Sequence, residues 1–244
     1  MITHEEMEHR QESYQRKAMP LSFVRHVLRR QQALLYARYE RLFPPRPGVR
    51  VLDLGVTGSL RERAGHFFES RFPYPTSITA AGIEPSDGFA ACFPEIPYVR
   101  ISRDEGLPFA DDEFDVVFCS AVIEHVGRRE RQREFLAEIL RVGRAAFVTT
   151  PNRWYPVELH TVLPLIHYLP TPAYRAIYRW LGFEFFASEE HLNLLDEREL
   201  RALAPASAQL EVLRHRFLGL TSNLLLVSRH RDDRGETREL RRAG

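Results

Sequence analysis

The run Val51-Leu52-Asp53-Leu54-Gly55-Val56-Thr57-Gly58-Ser59 constrains this chain more than any other stretch. Apolar residues flank one acid and run into a glycine turn. A helix-like segment, Leu60 to Arg71, follows at once. The pattern predicts a buried parallel strand, a tight turn and a helix N-terminus. Glycine has no Cβ and tolerates positive φ, so a ligand can approach the backbone at such a turn. The first N–H groups of a helix lack partners and carry partial positive charge, which suits an anion.

A second apolar run, Ile78-Thr79-Ala80-Ala81-Gly82-Ile83-Glu84, also ends in an acid. A carboxylate after the second strand of a βαβ unit accepts the two hydroxyls of a ribose. Together the two ends describe a nucleoside site beside the glycine turn. The alternative is an ordinary βαβ turn with Glu84 as a solvated strand-end acid.

The rest of the chain supports an α/β class. Its 244 residues suffice for one large α/β domain, and 44% hydrophobic with 27% charged residues is the balance of a globular protein. A net charge of +1 excludes a general nucleic-acid surface. Lys17 is the single lysine among 34 basic residues, which points to GC-rich coding and a bacterial source. Cys92 and Cys119 form no CxxC, so neither a disulfide framework nor a zinc site is expected, and a reducing cytoplasm fits. Met1 to Glu6 has no apolar core, so no signal peptide is expected, and no run approaches the ~18 apolar residues of a membrane span.

Residues 3–19 read as a solvated helix or arm, with Thr3 and Glu6 at capping-box spacing. Leu21, Val24, Leu28, Leu35 and Leu42 recur at helical spacing over 21–43, and the Pro44–Gly48 segment stops that helix. Residues 1–48 thus form an N-terminal helical segment, and the main domain spans 49–228. Further strands are expected at Tyr98–Ile101, Phe114–Cys119 and Ala145–Thr149, with a charged amphipathic helix over 129–141. Strands alternating with helices argue a doubly wound sheet whose ligands sit at the carboxyl ends of its strands. Asp196 is placed to cap a helix, and two last strands, Leu210–Arg216 and Ser222–Ser228, flank Gly219. Residues 229–244 are almost all charged and read as a disordered tail.

Four segments, VLDLGVTGS, GIEPSD, LPFADDEFDVVFCSAVIEHV and FVTTPNRW, stand in an order and spacing that resembles the class I S-adenosylmethionine (SAM)-dependent methyltransferases. Within them the likeness is to the broad group that includes the ubiquinone and menaquinone biosynthesis methyltransferases. It covers roughly residues 49–150 and more loosely 190–228. The resemblance implies a Rossmann-like seven-stranded sheet, mostly parallel with an antiparallel hairpin at its edge, and SAM as cofactor. It assigns Asp53, Gly55 and Gly58 to the methionine pocket, Glu84 to the ribose, and Ser120 to the floor below the sulfonium. The family's glycine motif departs here at Thr57 and Ser59, and Thr57 narrows the approach to the turn. Many relatives place an adenine-binding acid where this chain has Arg103, which moves that expectation to Asp104.

The long insertion 152–190 is expected to serve the acceptor side. Asn152, Arg153, Trp154, Tyr155 and Tyr168 offer polar and aromatic contacts for a small, partly apolar or aromatic acceptor. Two other readings stand beside this lid: a helical subdomain whose aromatics fill its own core, and a weak contact with a membrane surface through Arg175 and Arg179. Methyl transfer to oxygen or carbon needs a proton acceptor, and His160 and His125 are the candidates. The alternatives are a packed loop histidine and a helix-start hydrogen bond. Transfer to oxygen or nitrogen is favoured over carbon. No His, Cys and carboxylate cluster has zinc-site spacing, so no metal is expected. Two other functions are weighed, a SAM-binding protein without turnover and a nucleotide-sugar or dinucleotide enzyme; the missing G-x-G-x-x-G counts against the latter.

Overall fold

A computed structural model describes residues 21–57, 66–206 and 208–229. The expected arm at 3–19, the helix start at Gly58–Ser59 and the tail from 230 lie outside those residues. In chain order the elements are α1 (Leu21–Leu42), β1 (Val51–Leu54), β2 (Ile78–Gly82), α2 (Asp87–Cys92), β3 (Tyr98–Arg100) and β4 (Val116–Ser120). They continue with α3 (Arg129–Val142), β5 (Ala146–Pro151), α4 (Thr171–Trp180), α5 (Glu197–Leu203), β6 (Leu210–Phe217) and β7 (Leu220–Ser228). The strands form one seven-stranded sheet in the order β3-β2-β1-β4-β5-β7-β6. Its first five strands are parallel, and β7 runs antiparallel to both β5 and β6. The doubly wound sheet and its antiparallel hairpin match the expectation.

Side-chain alternation divides the core into two. Val51, Val116, Phe118, Phe147 and Leu225 face one side, where α1 brings Leu35, Tyr36 and Tyr39. Leu52, Leu54, Val117, Cys119, Ala146 and Val148 face the other, under α3 and α5. Both faces of β1, β4 and β5 are therefore covered, as parallel strands require. Of the helical stripe expected on α1, Leu35 is buried and Leu42 packs at the core edge; the side chains of Leu21, Val24 and Leu28 lie outside those described.

Several boundaries differ from the pattern. Phe114 precedes β4 and bridges Gly143 instead of opening the strand. Residues 66–72 make turns rather than regular helix, with Ser70 N–H donating to the His66 carbonyl and Phe72 N–H to the Phe68 carbonyl, and the preceding residues lie outside those described. The Asp196 cap is as expected: its carboxylate accepts from Glu199 N–H, while the Glu199 carboxylate accepts from Asp196 N–H.

Order reverses between β1 and β4, so their carboxyl ends diverge and leave a crevice there. Phe118 anchors the strand beneath it. Its ring stacks on Phe68 at 4.2 Å and on Phe147 at 5.7 Å, and Tyr39 meets it edge-on at 5.5 Å. Truncation to alanine leaves a cavity that neighbouring rings cannot close. Phe118→Ala should cost about 3–5 kcal/mol in urea unfolding; a loss under about 1 kcal/mol would mean the aromatic stack is not the anchor.

Candidate cofactor cleft and histidine cluster

A cleft of about 420 Å³ opens at the carboxyl ends of β1, β2 and β4. Its lining comes from Leu54–Thr57, Gly82–Glu84, Ile101–Leu107, the Ala121–Val126 segment, one face of α3, and Glu190. Gly55 takes φ +95°, and its N–H donates to the Ala81 carbonyl at 2.8 Å. A Cβ there would come within 2.2 Å of Val122, so glycine is required for both its φ and its space.

Thr57, the departure from the glycine motif, has a role of its own. Its hydroxyl donates to a Glu84 carboxylate oxygen at 2.7 Å, and Tyr98 Oη donates to the Glu84 carbonyl at 3.0 Å. Glu84 is thus held from both sides at the cleft wall. Asp104 also lines the cleft, but its side chain is 96% exposed and lies 3.5 Å from Arg131. Ser120 does not reach the lining; its hydroxyl pairs with Thr149 Oγ1 at 2.9 Å. Asp53 is buried beside Glu69 and also stands outside the lining. Gly58 lies outside the described residues. Glu84, Asp104, Glu105, Glu134, Glu138 and Glu190 face the cleft against Arg103 and Arg131, so its charge is acidic.

Arg141 fixes the cleft's outer wall, a role the sequence pattern did not signal. Its guanidinium donates to the carbonyls of Leu107 and Phe109 and to Asp111 and Glu138. Glu138 in turn accepts from Leu107 N–H at 2.8 Å. The Leu107–Asp111 loop is thereby tied to α3.

Beyond Val122 the chain makes one 3-10 turn, Ile123–His125, and there meets the insertion. His125 Nδ1–H donates to the His191 carbonyl at 2.6 Å, since a carbonyl only accepts. His160 Nδ1 lies 2.6 Å from Glu158 Oε1, and the two Nε2 atoms face one another at 3.0 Å. The Glu158 carboxylate also accepts from the N–H groups of His160 and Thr161 and from the Thr161 hydroxyl. Burial alone would raise Glu158, but His160 and these donors outweigh it and hold the carboxyl at about 2. Burial would lower His160, yet Glu158 outweighs it and raises the imidazole above its ordinary value. Burial, reinforced by the charge on His160, pushes His125 down to about 3. Glu158 thus favours the protonated form of His160, and burial the neutral form of His125. Glu124, fully buried, accepts from the Thr150 hydroxyl at 3.0 Å, and burial lifts its carboxyl to about 6.

Comparison with known proteins agrees with this geometry. The methyltransferase domain family matches residues 67–146. That match takes in about a third of the chain. Two curated relatives are ubiquinone biosynthesis O-methyltransferases, from Brucella anthropi at 29% identity over 63% of this chain and 64% of that protein, and from Rhizobium etli at 34% over 45% and 44%. This chain spans between 18% and 64% of the length of the curated relatives it matches. Among solved structures, the Burkholderia thailandensis 1,6-didemethyltoxoflavin-N1-methyltransferase shares the fold, with a TM-score of 0.53, 16% identity and coverage of 93% of this chain and 87% of that one. The CurJ carbon methyltransferase does so at 0.51 and 11% identity, covering 81% and 53%. At these identities the likeness is one of fold, the class I methyltransferase sheet.

Among the described residues the insertion contributes only Glu190 to the cleft lining. Its aromatics build their own core: Tyr174, Tyr178, Phe183 and Phe186 pack with Leu192 and Leu194. None of the five residues expected at the acceptor lines the cleft: Asn152 is tied to β7, and Trp154 and Tyr168 are exposed. Asn152 Nδ2 donates to the Thr221 carbonyl, Tyr168 Oη donates to the Trp154 carbonyl, and the Tyr155 carbonyl accepts from His167. The Arg153 guanidinium lies over the Trp154 ring at 5.3 Å. His125 and His160, by contrast, are brought together from 35 residues apart, a meeting that no local spacing announces.

Asp53 offers a test of the buried acid. Burial first, then the neighbouring Glu69 charge, raises its carboxyl well above 3.8. The folded chain thus prefers protonated Asp53, and its stability falls as pH rises above 3.8, where the unfolded carboxyl ionises. Asp53→Asn should melt higher than the parent at neutral pH, and the two should converge near pH 3.8. Scanning calorimetry across pH checks this; a constant difference at every pH would leave Asp53 ionised in the fold.

Proposed function

We propose that this chain transfers the methyl group of SAM to a small, partly apolar or aromatic molecule, on oxygen or nitrogen rather than carbon. The observation that carries the reading is the acidic cleft at the switch point, with Gly55 and the Thr57-braced Glu84 on one wall. Glu84 accepts the ribose hydroxyls. Ile83, Ile101, Leu107 and Phe135 supply apolar surface for the adenine. SAM carries a net positive charge at its sulfonium, which an acidic lining favours. A dinucleotide or nucleotide sugar brings a diphosphate, which the same carboxylates repel, and this disfavours the second enzyme class.

The reaction itself asks little of the protein beyond alignment. The acceptor lone pair forms the new bond to the methyl carbon, the S–C pair returns to sulfur, and S-adenosylhomocysteine leaves. Positioning alone contributes several kcal/mol, of the ~7–11 that full orientation supplies. We place the acceptor on the insertion side of the cleft. His125 there is both cleft wall and partner of His160, so the two act on the acceptor as a unit. Trp154, Tyr155, Tyr168, Asn152 and Arg153 complete that side by holding the insertion in shape.

Isothermal calorimetry with SAM, S-adenosylhomocysteine, NAD and a nucleotide sugar separates the classes, and a methyl-transfer screen separates turnover from binding alone. SAM should bind and the two diphosphates should not. Glu84→Ala should weaken SAM binding by about 1–3 kcal/mol, the scale of a charge-assisted hydrogen bond. Unchanged SAM affinity in a folded variant would remove Glu84 from the ribose.

A further inference from the structure

The geometry points to a divalent transition-metal ion, of the zinc class, held by Glu124, His125 Nε2 and His160 Nε2. Their ligand atoms lie within 4.8 Å of one another, and among the described residues no other group of His, Cys, Asp and Glu side chains is so placed. The absence of a zinc-site spacing in the sequence does not bear on this set. Two ligands come from the turn after β4 and the third from the insertion.

Each ligand is oriented by a partner outside the set. The His191 carbonyl fixes His125 with its proton on Nδ1, and Glu158 does the same for His160. Both Nε2 atoms are therefore aimed at one point, 3.0 Å apart. The Thr150 hydroxyl holds one oxygen of Glu124. Carbonyl and carboxylate partners behind ligating histidines, and a donor behind the carboxylate, are what metal sites use to set ligand orientation.

A single shared proton satisfies the two imidazoles but not the third group. Glu124 is fully buried, and its Oε1 has no hydrogen-bond partner. An unpaired buried carboxylate oxygen is costly, and a cation beside it removes the cost. Two imidazoles and one carboxylate, with a fourth position left open, suit zinc and its neighbours rather than Mg²⁺ or Ca²⁺, which prefer all-oxygen shells. Tetrahedral bonds of about 2.0–2.1 Å hold ligands about 3.4 Å apart, so the imidazoles need to part only slightly while Glu124 closes in.

The site stands on its own geometry, while its use in catalysis rests on the proposed methyl transfer. His125 also lines the cofactor cleft, so an ion on its Nε2 lies at that cleft's wall. A hydroxyl bound in the open position would lose its proton to solvent more readily than a free one.

The test reads metal rather than turnover. The purified chain is stripped with a chelator and titrated with zinc chloride by calorimetry, then with cobalt(II) chloride by visible absorption. About one zinc per chain is expected, with the cobalt spectrum of a four-coordinate nitrogen and oxygen site. His160→Ala and Glu124→Gln should abolish the cobalt spectrum. Glu158→Gln keeps every ligand but loosens His160, and should weaken zinc by about 10–100-fold. Circular dichroism and SAM calorimetry on each variant report folding and the cofactor cleft separately. Zinc bound without SAM would sink the proposed function and leave the metal site standing. SAM bound without zinc, or zinc bound equally by His160→Ala and Glu124→Gln, would overturn the metal site and leave a proton between the imidazoles.

Discussion

A parallel strand covered on both faces has no room for charge except at its ends. That constraint governs this molecule. Val51, Leu52 and Leu54 are sealed in β1, as are Val117, Phe118 and Cys119 in β4. Polar and charged groups therefore appear where those strands stop: Thr57 after β1, Glu84 after β2 and His125 after β4 at the cleft wall, with buried Glu124 beside His125. Asp53 is the exception that shows the cost. It sits inside β1 beside Glu69, and its carboxyl is driven toward the protonated state.

The same constraint explains what was legible in the sequence. Short continuous apolar runs and strand-ending acids are local patterns, so the sheet, the Gly55 turn and the position of Glu84 were all readable. The antiparallel hairpin came from the family likeness and agrees with the β5-β7-β6 order. Contacts between distant segments left no such mark. Arg141 looks like one more helix charge until it is seen bonding the Leu107 and Phe109 carbonyls. The aromatics of 152–190 read as a binding surface, yet Tyr174, Tyr178 and Phe186 are spent on the insertion's own core. Composition cannot say which side of an aromatic cluster faces a ligand.

The insertion is bolted to the sheet rather than draped over it. Asn193 N–H donates to the Glu124 carbonyl, and the Asn193 side-chain amide reaches the Gly127 carbonyl. Gln132 of α3 donates to the carbonyls of Ile123 and Asn193, and Arg129 to that of Leu194. The 3-10 turn carrying Glu124 and His125 is thus clamped between α3 and the end of the insertion. A freely opening lid would break these buried bonds together, at a cost that buried amides make high. Rigid placement favours a site whose geometry is set before any ligand arrives.

The departure at Thr57 closes the argument about the cofactor wall. A side chain there narrows the backbone approach that glycine would leave open. In exchange its hydroxyl fixes Glu84 in one orientation, with Tyr98 holding the same residue through its carbonyl. On the proposed reading, a carboxylate that would otherwise sample several rotamers is already aimed at the ribose, which cuts the entropy lost on binding. The narrowing and the preorganisation act in opposite directions on affinity, through the same side chain. Thr57 is therefore a substitution whose effect follows from what it touches, and a count of motif glycines misses it.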